Sequence, residues 1–402
     1  MVTTIVADTS VEQKAIRIGC RPSVLAKIQA ELVCSRLEAL FPASRFEISA
    51  KKIFPAGDRD KVLPFRSLSQ ITEKGGASLW TTELEDALCD GNLDILVHSL
   101  KDVPTKLKEG CEIIPVLERE DRRDCLVVKK GLTYRTLEEL PPGSVVGTGS
   151  VRRVAQMKRR FPLLVFEGVV STFFTVLLSI FSDLPPLLLA RKYVGVPTAF
   201  NLTLLTIWYV HSDTRLEKLD SPNLPYTALI LASAGLHRLS LHNRITSYLS
   251  PPVSYPAIGQ GFLGAEFRSA DTEVKAMVSK LEVWKDGWPV RAERALLEVL
   301  EGGCAVPVGI WSSWSDDSNI ASESLVSTPG SQLSLKSVMT SPDGSGEIIV
   351  ETLGVVTSVE EALELGKKSA TSLLEKGGRA IIVDLRAEID IAAAAQKKVA
   401  AA

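Results

Sequence analysis

Short apolar runs alternating with stretches of helical period divide the chain into repeated α/β units. Ala15-Ile16-Arg17-Ile18-Gly19 reads as a strand. Ser23 stands where it can cap a helix running to about Leu40, with apolar positions at Val24, Ile28, Leu32 and Leu37. A similar unit recurs at Ser144-Val145-Val146-Gly147-Thr148, followed by a Gly149-Ser150 turn and a helix from about Val151 to Phe161. Each is strand, small-residue turn, Ser, then a helix carrying Arg. Two such units predict two similar α/β domains facing a cleft, each turning a helix N-terminus toward it. Helix N-termini attract anions through their free N–H groups and the macrodipole.

Further elements follow the same pattern. Glu83 to Leu88 continues a helix before the buried strand Leu93-Asp94-Ile95-Leu96-Val97. Tyr226 to Ala232 is another buried strand, ended by Gly235. Near Pro256-Ala257-Ile258-Gly259-Gln260-Gly261 the chain is expected to cross back to the first domain. A third unit starts around Val283, with a helix over Ala292–Leu300, a hairpin turn at Pro342-Asp343-Gly344 and an amphipathic helix from Val359 to about Lys376. The Ala- and Lys-rich tail after Asp390 is expected to fray. The boundaries drawn from this pattern are 15–117 plus 262–280 for domain 1, 118–261 for domain 2 and 281–390 for the C-terminal domain.

Composition narrows the class. The 402 residues are 45% apolar and 23% charged, as in soluble globular proteins. A net charge of −2 gives no global field toward nucleic acid or anionic membrane. Met1 to Lys14 is polar and lacks the layout of a signal peptide. Six scattered cysteines without a Cys-x-x-Cys pair argue for reduced thiols in the cytoplasm, against a disulfide scaffold and against zinc. The four histidines show no metal-ligand spacing.

The chemistry concentrates in His98-Ser99-Leu100-Lys101-Asp102-Val103-Pro104. A strand that ends in His, Ser, Lys and Asp and is stopped by Pro carries reactive side chains at its C-terminal end, where open α/β sheets bind ligands. On this segment alone, a polar loop that merely closes a strand is an equal alternative. Arg152-Arg153 is a second candidate cluster, and Lys158-Arg159-Arg160 nearby reads as a solvated basic helix face. These basic runs are short and lack interleaved aromatics, so nucleic acid is a poor reading.

Six motifs in order then carry a resemblance. They are Arg17-Ile18-Gly19-Cys20-Arg21-Pro22-Ser23, the His98–Pro104 run, Glu118-Arg119-Glu120-Asp121, Gly147-Thr148-Gly149-Ser150-Val151-Arg152-Arg153, Pro256–Gly261, and Leu300-Glu301-Gly302-Gly303-Cys304-Ala305-Val306-Pro307. Between Ile16 and about Asp384 the chain resembles the porphobilinogen deaminase (hydroxymethylbilane synthase) family, with one large interruption. The resemblance implies α/β architecture, with two similar domains around a cleft as in periplasmic binding proteins and a smaller α+β C-terminal domain. It implies a monomeric transferase of heme and porphyrin biosynthesis that joins porphobilinogen units head to tail into a linear tetrapyrrole, releasing ammonia at each step. It further implies a dipyrromethane cofactor attached through Cys304, on a loop suited by Gly302, Gly303 and Pro307.

By the same resemblance Asp102 is the catalytic carboxylate. Loss of ammonia leaves a cationic azafulvene, which a nearby anion stabilises, and the same group can shuttle protons. The substrate's acetate and propionate arms call for cations, and Arg pairs both oxygens of a carboxylate. Arg21, Lys101, Arg152, Arg153 and Arg215 take that role, with hydroxyl contacts from Ser23, Ser99, Thr148 and Ser150. Gln260 is also assigned to substrate or cofactor binding.

Two departures from the family's pattern stand out. Ala77 occupies a position where the family usually has Lys. The family's Arg-Gly-Asn-Val loop after Phe166-Glu167 is missing, and a foreign, apolar stretch covers 168–212 before Thr214-Arg215-Leu216 resumes the pattern. A membrane anchor, a genuine insertion and translated non-coding sequence all remain open for it, the last being favoured. Asp183, Pro185 and Pro186 cut its first apolar run short of the ~20 residues needed to span a bilayer. The stretch predicts a catalytically impaired isoform. A non-catalytic solute-binding protein is the alternative from another class.

Overall fold

The computed structural model describes residues 15–49, 82–169, 212–300, 306–315 and 330–387. The first unit comprises β1 (Ile16–Gly19), α1 (Val24–Leu40), β2 (Phe46–Ile48), α2 (Thr82–Cys89), β3 (Ile95–Ser99) and β4 (Cys111–Val116). The second has β5 (Asp124–Val128), β6 (Val145–Gly147), α3 (Val151–Arg160), β7 (Val165–Glu167), α4 (Ser212–Asp220), β8 (Tyr226–Ala232), α5 (Ser233–Arg238) and β9 (Ser247–Leu249). Then come β10 (Leu263–Arg268), α6 (Thr272–Ser279), α7 (Trp284–Val299), β11 (Val308–Trp314), β12 (Gln332–Thr340), β13 (Glu347–Val355) and α8 (Val359–Leu373).

Two five-stranded sheets share one plan. The first runs β2-β1-β3-β10-β4 and the second β7-β6-β8-β5-β9. In each, the first three strands are parallel, and the fourth is antiparallel to both of its neighbours. The antiparallel strand is the last to arrive in the first sheet (β10) and the first in the second (β5). The chain therefore crosses between the sheets twice, through 117–123 and 250–262. A third, antiparallel sheet runs β11-β12-β13. This is α/β architecture with two similar units and a smaller third one.

The Ser23 cap forms as the sequence predicts, and Ser150, read as part of a turn, caps α3 in the same way. Ser23 Oγ accepts from the Ala26 N–H at 3.2 Å, and Ser150 Oγ from the Arg153 N–H at 3.5 Å. Each is worth about 1 kcal/mol. The buried face of α1 differs from expectation. Ala26, Ala30, Val33, Cys34 and Leu37 face inward, whereas Val24 and Leu32 are exposed.

Other elements shift in instructive ways. Strand β8 ends at Ala232, three residues before Gly235, because Ser233 opens α5 and donates its Oγ to the Asp121 and Arg123 carbonyls. Helix α7 starts at Trp284 rather than Ala292 and contains Pro289. A proline there leaves the carbonyl four residues back unpaired. Trp314 Nε1 donates to that Lys285 carbonyl at 2.8 Å. The helical path after α8 continues to residue 387 beyond a break at Gly377, whose φ of 110° favours glycine. The Lys158–Arg160 face is not simply solvated. Arg159 donates to the Ser345 carbonyl at 3.0 Å and Arg160 to Glu347 at 3.1 Å, docking α3 on the β12–β13 hairpin.

Candidate active site

The signature run divides between core and site. His98 lies inside β3, buried, with Nε2 2.9 Å from Glu266 on β10. Ser99 ends the strand and shares hydrogen bonds with Gln29 of α1 at 2.9 and 3.2 Å. Leu100–Asp102 form one 3-10 turn before Pro104. Lys101 is half-buried and Asp102 is exposed. The turn thus presents a carboxylate outward beside a partly desolvated amine.

The other candidates also sit where chain leaves strand. Arg21 and Ser23 follow β1, and Thr148 and Ser150 follow β6. Thr148 is buried, and its Oγ1 accepts from the Ser150 N–H at 3.4 Å. Arg152 and Arg153 occupy the first turn of α3, and Arg215 lies on α4. Gln260 lies in the return crossing.

An aspartate that the sequence reading did not single out joins several of them. Asp124, heading β5, is fully buried. Its Oδ2 accepts from Arg152 Nη1 at 2.8 Å and from Ser254 Oγ at 2.9 Å. Its Oδ1 accepts from Arg153 Nε at 3.0 Å and from Gln260 Nε2 at 2.9 Å. Gln260 turns its Oε1 to the Lys101 Nζ at 3.4 Å. One polar thread therefore runs from α3 through β5 and the return crossing to the β3 turn. Its sequence signal was an Asp at the head of the otherwise apolar Cys125-Leu126-Val127-Val128.

Electrostatics follows from this packing. Burial would raise the Asp124 carboxyl, but Arg152 and Arg153 hold it well below the usual range. Burial pushes the Lys101 amine down to about 8, against the pull of Asp102 and with the push of Arg153. Arg215 is lowered by burial first and then by Arg153 and Arg21, while Asp102 opposes. These couplings place Arg21, Lys101, Arg152, Arg153 and Arg215 in one neighbourhood with Asp102 and Asp124. Cations outnumber carboxylates, and Arg152 Nε is buried without a hydrogen-bond partner. A group bearing several carboxylates, such as a dipyrromethane with acetate and propionate arms, fits such a donor set.

Cys304, Ala77 and nearly all of 168–212 lie outside the described residues. The first two residues of that stretch belong to the fold. Val169 is buried with Leu216, Leu219 and Leu229, and the Gly168 carbonyl accepts from Tyr226 Oη at 3.3 Å. Among the described residues no helix is long and apolar enough to cross a membrane, and no His, Cys, Asp and Glu group could hold a metal.

Comparison with known proteins specifies the class. The family model "Porphobilinogen deaminase, dipyromethane cofactor binding domain" matches residues 16–183 and 209–276. "Porphobilinogen deaminase, C-terminal domain" matches 289–375. The chain is 36% identical to Porphobilinogen deaminase of Debaryomyces hansenii over 384 residues, covering 94% of this chain and 90% of that protein. It is 33% identical to the Saccharomyces cerevisiae protein of the same name, covering 92% and 97%. The aliphatic sulphonate binding protein SsuA of Escherichia coli overlaps 72% of each chain at 12% identity, with a TM-score of 0.30. The matched models and relatives belong to one transferase family. The chain belongs to the porphobilinogen deaminase family. The first family match breaks only over 184–208, a narrower interval than 168–212.

Proposed function

We propose that this chain is a hydroxymethylbilane synthase that condenses porphobilinogen head to tail into a linear tetrapyrrole, releasing ammonia at each step. The observation that carries this reading is the convergence of Lys101, Arg152, Arg153 and Arg215 beside the exposed Asp102, in a chain of this family. The domain division proposed is 15–117 with 262–280, 118–261 and 281–390. The protein is read as a monomer acting on the small molecule porphobilinogen. A cytosolic location is the reading supported by six scattered cysteines without a Cys-x-x-Cys pair.

Cys304 would hold a dipyrromethane through a thioether, and that group, when bound, would offer the pyrrole carbon to which the first substrate unit is joined. The guanidinium groups of Arg21, Arg152 and Arg215 and the Lys101 ammonium bind acetate and propionate arms and fix ring orientation, while Arg153, its donors turned to Asp124 and the Ile230 carbonyl, adds positive charge beside them. Ser23 and Ser150 add hydroxyl contacts at the starts of α1 and α3, with Ser99 at the end of β3 and Thr148 just after β6. The Asp102 carboxylate stabilises positive charge as the substrate's aminomethyl group loses ammonia. It also carries protons to the departing nitrogen and away from the ring carbon after bond formation.

A second reading concerns activity. The break in the family match at 184–208, the missing Arg-Gly-Asn-Val run and Ala77 favour a catalytically impaired form of this enzyme. Loss of one Arg that pairs a substrate carboxylate costs about 2–5 kcal/mol, and each 1.36 kcal/mol of lost transition-state binding is about tenfold in rate. The test is porphobilinogen consumption with ammonia release by the full chain. Turnover supports the deaminase reading. Loading at Cys304 without turnover supports the impaired form.

A further inference from the structure

The Asp124 network has a role that the reaction scheme does not use. Arg152 and Arg153 are neighbours on the first turn of α3, so their side chains leave the helix about 100° apart. Asp124 brings them together: Oδ2 lies 2.8 Å from Arg152 Nη1, and Oδ1 lies 2.8 Å from Arg153 Nη2. Both oxygens are already saturated, with Ser254 and Gln260 as further donors. A fully buried carboxylate with no acceptor capacity left cannot grip a ligand itself. It acts on the groups around it.

Those groups are held unequally. Arg153 points its donors into the protein, Nε and Nη2 to Asp124 and Nη1 to the Ile230 carbonyl at 2.9 Å. Arg152 commits Nη1 to Asp124 and to the Tyr255 carbonyl, while its buried Nε has no partner. Gln260 gives its amide hydrogens to Asp124 and to the Arg122 carbonyl, which leaves Oε1 toward Lys101. Without the aspartate, two buried guanidinium groups would repel each other, and the Gln260 amide would lose the partner that sets its orientation.

We propose that Asp124 is a positioning residue: it anchors Arg152 and Arg153 side by side at the start of α3 and sets Lys101 through Gln260. This rests on the deaminase reading of the site. The ligand class is a pyrrole carrying acetate and propionate arms, either as cofactor or as substrate.

The experiment compares the full chain with Asp124→Asn. Folding is read by near-UV circular dichroism, cofactor loading by intact mass, and KM and kcat on the loaded fraction. The expected result is a folded variant with loading reduced and KM raised on the order of tenfold each, and with kcat less affected. A folded variant with unchanged loading and KM overturns the proposal. If Asp124→Asn does not fold, Arg153→Gln is compared with Asp124→Asn/Arg153→Gln, in which the pair leaves together. Lower loading in the double variant supports positioning, and equal loading overturns it. Should the full chain be isolated unloaded, porphobilinogen binding by calorimetry replaces loading, with the same expectation of about tenfold weakening. An unmodified chain that neither loads nor binds porphobilinogen removes the deaminase reading, and this proposal with it. Intact wild-type loading alongside a normal Asp124→Asn removes only the proposal.

Discussion

Arg119 and Glu293 form a forked pair, Nη1 to Oε1 at 2.7 Å and Nη2 to Oε2 at 3.1 Å, with the carboxylate fully buried. The same carboxylate accepts from the Gly259 N–H at 2.9 Å and from Ser312 Oγ at 2.7 Å. Arg119 Nε also donates to the Gln260 carbonyl at 2.9 Å. One glutamate on α7 thus ties the outgoing crossing, the return crossing and β11 together. Burial would raise the Glu293 carboxyl, but Arg119 holds it below its usual range.

Removing that charge leaves a buried guanidinium without its counter-ion. Glu293→Gln is expected to cost about 3–5 kcal/mol of stability. A urea melt of the folded chain checks it, and an unchanged midpoint would contradict the account of the junction.

The crossing also depends on Gly261. Its φ is +95°, and a Cβ there would lie 2.3 Å from the Glu120 carbonyl oxygen. Gly261→Ala must push two crossing segments apart, so it is expected to lower the melting temperature, whereas Gly149→Ala, with open space around it, leaves it nearly unchanged. Equal effects at the two positions would count against a tight crossing.

Asp102 is exposed, so its replacement removes chemistry rather than packing. Asp102→Asn is expected to lower kcat by on the order of 10²-fold or more while the melting temperature stays within the error of the measurement. A variant that turns over normally would remove Asp102 from its role.

Lys101 gives a pH signature. Its folded value, about 8, lies below the ordinary 10.5 because burial disfavours the ammonium, with Asp102 opposing and Arg153 adding to the effect. Between these values the unfolded chain holds a proton that the folded chain has released, so this group's contribution to stability rises with pH across that window. Over the same window the site loses a cation, so kcat/KM for an anionic substrate falls as pH passes about 8. Lys101→Met is expected to flatten both trends. Unaltered alkaline limbs in that variant would assign them to another group.

Much of this was legible in the chain because strand, turn and cap signals are local. Ser23 and Ser150 cap their helices, and the turn at Pro342-Asp343-Gly344 joins β12 to β13. The buried face of α1 was not legible. Ala30 and Val33 are buried while Val24 and Leu32 are exposed, and which apolar side of α1 meets the sheet is a tertiary fact. Asp124 and Glu293 escaped for a similar reason. A charged residue in an apolar setting looks solvated until the partners that neutralise it, 28 and 174 residues away for Arg152 and Arg119, fold against it. The His98 side chain was misleading in the opposite sense. It belongs to the signature run but spends its ring on Glu266 inside the sheet.

The central claim is tested most directly by intact mass and peptide mapping of the full chain, alongside a version with 168–212 replaced by Arg-Gly-Asn-Val, each assayed for porphobilinogen consumption. The account predicts a pyrrole adduct on the Cys304 peptide and faster turnover after the replacement. No adduct and no consumption in either protein would contradict it.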